Sequence, residues 1–423
     1  MSQDGSSPTT EGRARSGAVG LAGKNQDGGT NQPGSSGGLA RYVLAATLAR
    51  SADGGAVVAI VLLATTSGAP GWLAGILGAC ITAPHLFGPL IARSLDTARD
   101  GRTAIAWACV IHGATLAAAV LLFPVTPPIV PGLLLIASGL VGPLLTGGIS
   151  SRLAAIAGPE RTSQRRAQGW DVATYGIGGT IGPSLVAAVS AWADPAAAAL
   201  ILAASTFVAA AVIRLLPYTP PASVAAEVPR PGRTLLMMIS NGPLRRTLYM
   251  TVVVALSVAA LPITAVASTD ELGVAPAAAG ILTAAYGLGG LVGSAGFMIR
   301  PLRTDADPLM TWLAAAVGIA LGGAAVAGIF PTAVAAFACA GVLNSYFFAS
   351  TLAARSEYAP AAARGQVFVW IGALKITAGS AGTALAGALI APAAQLPLYL
   401  AAGLVVSAAV VSLVDRHLER SRS

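Results

Sequence analysis

Few ionisable side chains interrupt the long apolar stretches of this chain, and those few are where chemistry is to be sought. Asp53 lies roughly 12 residues into an apolar run that begins near residue 42, which is close to mid-depth at 1.5 Å rise per residue. Arg50 sits three positions earlier, on the same helical face. Lys375 breaks a second run, and His85 follows Pro84 in a third. A carboxylate in such surroundings is costly to keep charged, so it suits the uptake and release of a proton. An imidazole relays protons near neutral pH. The lone ammonium of Lys375 suits contact with a substrate or a counter-charge. The plainer alternative is a structural Arg50–Asp53 pair with Lys375 extended toward water. His112 reads as packing, and Asp171 as a carboxylate at the positive start of a helix.

The composition says what kind of element must position these groups. Of 423 residues, 55% are hydrophobic and only 10% are charged, with 50 glycines; the mean hydropathy is +0.73. A soluble globular protein carries roughly 25% charged residues. This chain cannot clothe a water-facing surface, and the remaining class is a multi-pass membrane protein. Disorder by charge excess, a nucleic-acid-binding domain and a disulfide-stapled module are excluded as whole-chain readings.

The 25 basic residues, 23 Arg with Lys24 and Lys375, fall in clusters. Between clusters lie stretches of roughly 50 residues, long enough for two membrane helices of ~20 residues and a turn. Six such stretches predict twelve spans: 42–64, 70–92, 103–123, 129–151, 170–192, 196–216, 247–268, 277–299, 309–329, 332–354, 366–390 and 396–414. The turns inside the stretches carry no basic residue, only Asp194, Asp270 and Glu271. Cytoplasmic loops are rich in Lys and Arg, so both termini are expected in the cytoplasm. The six Trp fall near expected span ends, as interfacial aromatic residues do. Arg in place of Lys, with abundant Ala and Gly, suggests GC-rich bacterial coding and hence a bacterial plasma (inner) membrane.

Residues 1–38, rich in Gly, Ser, Thr, Gln and Asn, read as a disordered cytoplasmic tail. The Pro-rich stretch 217–246 reads as a cytoplasmic linker between a half at 39–216 and a half at 247–415, with a short tail at 416–423. The halves echo each other. Ala74-Gly75-Ile76-Leu77 matches Ala279-Gly280-Ile281-Leu282, Gly88 matches Gly293 at the same offset, and Arg166-x-Gln168 matches Arg364-x-Gln366. A duplicated six-helix unit is the expectation, with a ligand site between the halves.

Several motifs are excluded. Neither Lys is followed by Ser or Thr in a phosphate-binding loop. The glycines of the fifth span lack the strand-turn-helix context of a dinucleotide site, and Gly34-Ser35-Ser36-Gly37-Gly38 lacks that of a serine nucleophile. Cys80, Cys109 and Cys339 form no redox or metal pattern, and no His/Glu cluster suggests a metal. No cofactor is expected.

Over residues 40–415 the sequence resembles the major facilitator superfamily. After the second span, Gly88-Pro89-x-x-Ala92-x-x-x-Asp96-x-x-Arg99-x-x-Arg102 looks like the family's loop signature. Ala92 and Thr97 depart from it. The resemblance implies that Gly88, Asp96, Arg99 and Arg102 form a charge latch between inward and outward states. In the fifth span, Gly176-Ile-Gly178-Gly179-Thr-Ile-Gly182-Pro183 is similar to the family's antiporter motif, so Gly178, Gly182 and Pro183 imply a proton-driven exporter. By the family's pattern the fifth and eighth spans pack together, with Gly289, Gly293 and Gly296 as the matching face. The second and eleventh are expected to pair likewise, through Gly71, Gly75, Gly78, Ala378 and Gly382. The arginine that many such antiporters carry in the fourth span is absent.

The expected protein is thus an all-α membrane protein of twelve transmembrane helices in two six-helix halves. Its expected activity is secondary active transport, the proton-coupled export of small lipophilic or drug-like molecules by alternating access. An importer or uniporter of the same fold, or a membrane-embedded enzyme or assembly subunit, is the alternative. Candidate proton-coupling or substrate residues are Asp53, Lys375, Arg50 and His85. Tyr175, Tyr286, Asn344, Tyr346 and Trp370 are candidates to line the cavity. A monomer is expected, with protons, a small molecule and the lipid bilayer as partners and no nucleic acid.

Overall fold

The computed structural model describes residues 36–220 and 227–421, and these form one compact unit. Most of the expected tail at 1–38 and the middle of the expected linker lie outside the described residues. The described chain is helical throughout, with twelve helices long and apolar enough to cross a membrane. The first six are Gly37–Thr66, Gly71–Thr97, Gly101–Leu122, Ile129–Ala157, Arg161–Trp192 and Pro195–Arg214. The second six are Gly242–Ala267, Ala279–Ile299, Ala306–Ala325, Phe330–Tyr358, Ala361–Leu389 and Leu396–Arg420. They are called the first to the twelfth span below. A short helix, Pro231–Ser240, precedes the seventh span within the expected linker.

Local chemistry sets many of these ends. Asp194 caps the sixth span by accepting from the Ala197 amide at 2.7 Å, with Pro195 at the first helical position. Asn241 caps the seventh in the same way, through the Leu244 amide at 3.1 Å. Inside the fourth span, Pro143 has no amide to donate to the preceding turn. The helix answers with a π-helical turn at Leu144–Gly148, a local widening often found at functional sites.

Spans run further toward the basic face than the charge map predicts. The fifth starts at Arg161 rather than 170, and the tenth ends at Tyr358 rather than 354. Asp171 and Arg355 are therefore inside helices. Asp171 is ten residues from its helix start at Arg161, so the helix-terminus explanation for it fails.

Two of the three largest apolar clusters draw on residues 42–216, apart from Val369; the third draws on residues 250–409. A smaller cluster of Val172, Phe297, Phe348, Leu352 and Phe368 joins the two sets. Around the outside, Trp192, Ile299, Ile319 and Leu90 are among many exposed large apolar side chains. That coat suits a lipid solvent. In lipid, helices gain little by hiding apolar surface from each other, so close packing of small residues carries the association. Ala and Gly fill the helix contacts accordingly. A Cβ at Gly182 would overlap the backbone of Ser51 and Gly55 in the first span, and one at Gly178 would meet the Arg50 backbone at 3.1 Å.

Candidate functional site

The deepest polar feature is built around Arg50 of the first span. Its Nη1 lies 2.7 Å from Asp171 Oδ1 in the fifth span and also donates to Thr174. Its Nη2 donates to Ser150 Oγ at 2.9 Å and to the Thr146 carbonyl at 3.3 Å. Thr146 belongs to the π-helical turn and Ser150 follows it. Asp171 also accepts from Tyr42 at 2.6 Å and from Ser150 at 2.8 Å. The guanidinium lies 3.6 Å from the centroid of the Tyr175 ring. Both charged side chains are almost sealed from solvent, at 3% and 1% exposure. Such a pair survives in a low-dielectric interior because further hydrogen bonds support it; here they serve both terminal guanidinium nitrogens and both carboxylate oxygens, while Arg50 Nε is buried without a partner.

Asp53, one helical turn along from Arg50, makes a separate pair. Its Oδ1 is 3.4 Å from His85 Nε2. His85 Nδ1 is 2.9 Å from the Ile81 carbonyl, an oxygen that only accepts. Nδ1 must therefore carry its hydrogen. The other ring nitrogen then faces the carboxylate, and two lone pairs would oppose each other unless one partner holds a proton. A proton shared between Asp53 and His85 resolves this. Gly142 makes the approach possible, since a Cβ there would reach the His85 ring and come within 3.0 Å of Asp53.

These groups open onto a cavity of about 180 Å³ lined by Arg50, Asp53, Thr146, Tyr175 and, from the second six spans, Phe348, Arg355 and Lys375. Lys375 Nζ lies 3.6 Å from the centroid of Phe348 and 5.0 Å from that of Tyr175. Arg355 is 1% exposed, between the rings of Phe348 and Phe368.

Toward the basic face the two sets of spans are locked together. Asp96 accepts from the amides of Gly365 and Gln366, each at 2.9 Å, near the start of the eleventh span. A carboxylate there meets both free amides and the positive end of the helix dipole. Arg165 pairs with Glu357 at 2.8 Å and donates to the Thr304 carbonyl at 3.1 Å. Arg166 donates to the Met298 carbonyl at 3.1 Å, at the negative end of the eighth span. Gly147 packs on the Phe368 backbone, where a Cβ would come within 2.6 Å of the carbonyl oxygen. Toward the opposite face this contact lapses. A Cβ at Gly75, Gly179, Gly287 or Gly379 would meet nothing within 4 Å. The spans are thus tightly packed across the halves at the basic face, while these glycines of the second, fifth, eighth and eleventh spans are unpacked.

Solved structures share this fold. A bacterial homologue of the iron transporter ferroportin, in an outward-facing state, aligns with a TM-score of 0.72 at 16% identity over 90% of this chain and 99% of its own. FucP, an E. coli fucose:proton symporter, in its outward conformation, gives 0.67 at 15% identity over 88% and 98%. The human organic anion transporter MFSD10 gives 0.67 at 15% identity over 88% and 99%. The fold is that of the major facilitator superfamily. No family model and no curated protein matches the sequence.

With the superfamily fold in place, the expected site residues can be located. Arg50, Asp53 and Lys375 line the cavity with Tyr175, and His85 stands behind Asp53. The Arg50–Asp53 pair does not form: Arg50 turns to Asp171. The first span supplies a guanidinium against fourth-span Thr146 and Ser150. Tyr286 accepts from Asn344 at 2.8 Å, and Tyr346 packs on Phe297; none of these three lines the cavity. Trp370 also lies outside it, donating to the Pro231 carbonyl in the linker helix at 3.2 Å. His112 is buried against Ser138, as packing requires.

Of the latch residues, Asp96 alone acts across the halves. Arg102 grips Asp100 at 2.9 Å and the Leu216 carbonyl at 2.6 Å, and Tyr218 donates to the Arg99 carbonyl at 3.3 Å. Gly88 lies against the ring of Pro143. Gly178 and Gly182 face the first span, and Gly289 and Gly293 face the tenth, so neither set forms the expected seam between fifth and eighth spans. That crossing is at Gly169, which packs on Met298. The second and eleventh spans do not meet through their glycines either: Gly78 faces Val57 and Val61, and Gly382 faces Leu256.

Sequence reading missed Asp171, Arg355, Arg165 and Glu357. A signal for two of them existed. Pro360 disfavours helix only at Ala359, so the tenth span could run to Tyr358 and carry Arg355 inward. Pro159 likewise marks a helix start near Arg161, well ahead of Asp171.

Proposed function

We propose that this chain is a secondary active transporter that exports small molecules across the bacterial plasma membrane by alternating access, driven by protons entering at Asp53 and His85. The observation that carries the reading is the 3.4 Å contact between Asp53 and His85 in the wall of a cavity lined from both helical sets, a geometry suited to holding a proton. Close packing between the halves at the basic face, against unpacked glycines elsewhere, supports it, as does the likeness in fold to transporters solved in outward-facing states. Arg-rich loops belong in the cytoplasm, so both termini lie there and the closely packed basic face is the inner one. Asp96 is then the inner latch. Export is favoured by the glycine-rich stretch of the fifth span that ends in Gly182-Pro183, whose tight seat on the first span couples Asp171 and Arg50 to the movements of both helices. The protein acts as a monomer in the bilayer, without a cofactor, and is not an enzyme.

Reconstituted vesicles with an acidic lumen test this. Labelled ethidium and labelled benzenesulfonate are supplied outside, and a pH dye reports the lumen. Accumulation of a probe with loss of luminal acid, abolished by a protonophore and by Asp53→Asn, is the expected result. Accumulation only when the outside is the acidic side would replace export with uptake. Probe movement that ignores the pH gradient would sink proton coupling.

A further inference from the structure

The two helical sets contribute unequal charge to the central cavity. The first set brings Arg50, which Asp171 balances at 2.7 Å, and Asp53, which meets His85 at 3.4 Å. The second set brings Arg355 and Lys375 and no acid. Among the described residues neither cation has a carboxylate within ion-pair distance. Arg355 makes one long contact with Thr351 at 3.4 Å, and its Nε is buried without a partner. Lys375 has aromatic faces for neighbours, Phe348 and Tyr175. A ring face attracts a cation but does not neutralise it. An arginine cannot shed its proton in a protein. Two cations at this depth are costly unless something brings negative charge to them.

We propose that the cavity binds a small organic anion, whose acidic group sits between Lys375 and Arg355 and whose apolar part lies against Phe348 and Tyr175. The inference rests on reading this cavity as the transport site. The lining fits the assignment chemically. Two donors from neighbouring spans converge on one carboxylate, sulfonate or phosphate, and charge-assisted hydrogen bonds to such groups are the strong ones. Ile376, Gly54, Gly179 and Gly372 make part of the remaining wall apolar or small, and Arg50, Asp53 and Thr146 supply its other polar groups. The same geometry repels a lipophilic cation, which distinguishes this substrate class from cationic dyes. The acidic group is thus held by the tenth and eleventh spans, and the apolar part reaches the first set at Tyr175.

The test is binding to the purified full-length protein in nanodiscs, read as the shift of the thermal unfolding midpoint. Benzenesulfonate, phenyl phosphate and succinate are each compared with an uncharged analogue: benzenesulfonamide, phenol and succinamide. Benzamidine serves as the cation. At least one anion is expected to stabilise the protein more than its uncharged analogue, with benzamidine weakest. The effective anion should bind about tenfold or more weakly to Lys375→Gln and to Arg355→Gln. Lys375→Arg should restore most of the affinity. Removing an unpaired cation strands no partner, so both variants should fold. The proposal is overturned if no anion exceeds its analogue, if benzamidine stabilises best, or if the Gln variants bind the anion as well as the parent. No pH gradient enters this measurement. A protein that binds anions but moves nothing with protons loses only the transport reading. One that exports ethidium against protons while ignoring anions loses only this one.

Discussion

Arg50 Nη1 and Asp171 Oδ1 lie 2.7 Å apart across the first and fifth spans, and this pair holds the polar heart of the first six helices together. Removing the carboxylate would leave a guanidinium enclosed with only neutral partners. Breaking a buried pair from one side costs ~3–5 kcal/mol. Asp171→Asn should therefore lower the thermal midpoint clearly. Arg50→Met with Asp171→Leu, which removes both charges, should recover part of the loss. If the single and double variants unfold at the same temperature, the pair is not a stability element.

Asp53 should behave in the opposite way. It lines the cavity and its partner is a histidine that can remain neutral. Asp53→Asn should leave the midpoint within about 1 kcal/mol of the parent, while abolishing proton movement in vesicles. If Asp53→Asn unfolds as readily as Asp171→Asn, the separation of structural and coupling roles is contradicted.

Asp96 spans the halves where Asp100 does not. Replacing Asp96 by Asn removes the charge facing the helix start and one of two acceptors, worth ~1–2 kcal/mol together. The balance between states should move about tenfold toward opening at the basic face. Distances between spin labels on the basic ends of the second and eleventh spans would report it. An unchanged distance distribution in the Asp96→Asn variant counts against the latch.

Glycine contacts separate stability from state. Gly182 lies against the first-span backbone within one half, so Gly182→Ala should cost ~1–3 kcal/mol of stability. Gly147 lies against Phe368 across the halves. Gly147→Ala should instead disfavour the closed basic face and shift the same spin-label distances. Gly179→Ala, which would meet nothing within 4 Å, should do neither.

At the basic face, the Arg102 guanidinium bonded to Asp100 holds that carboxyl down at about 2. A depressed carboxylate adds stability that is fully present above the usual carboxylate range near ~4 and is lost as pH falls through the folded value. Hydrogen exchange in the loop around Asp100 should thus keep the same protection factors from pH ~8 to pH ~5, both above that range. Asp100→Asn should expose the loop across this whole window. A change in protection within the window in the parent would show that another group controls the loop.

The number of spans, their order and the basic face are legible in the chain alone, because membrane crossing depends on local facts. A run of ~20 apolar residues suffices to cross, and loop arginines such as Arg99 and Arg102 report which face they occupy. Asp53 and Lys375 stand out in the same way, since any charge inside an apolar run is visible in one dimension. Partnership is not. Arg50 and Asp53 share a helix face, yet Arg50 chooses Asp171, more than a hundred residues away, where Ser150 and the Thr146 carbonyl of the π-helical turn also meet the guanidinium and Ser150 bonds the carboxylate. Arg355 falls one residue past the expected tenth span, 332–354, because its place depends on where that helix stops, at Tyr358. Only the packed structure showed that it reaches the cavity without an acid beside it. Which charges are balanced is a property of distances between helices, and those distances are set by how the spans pack.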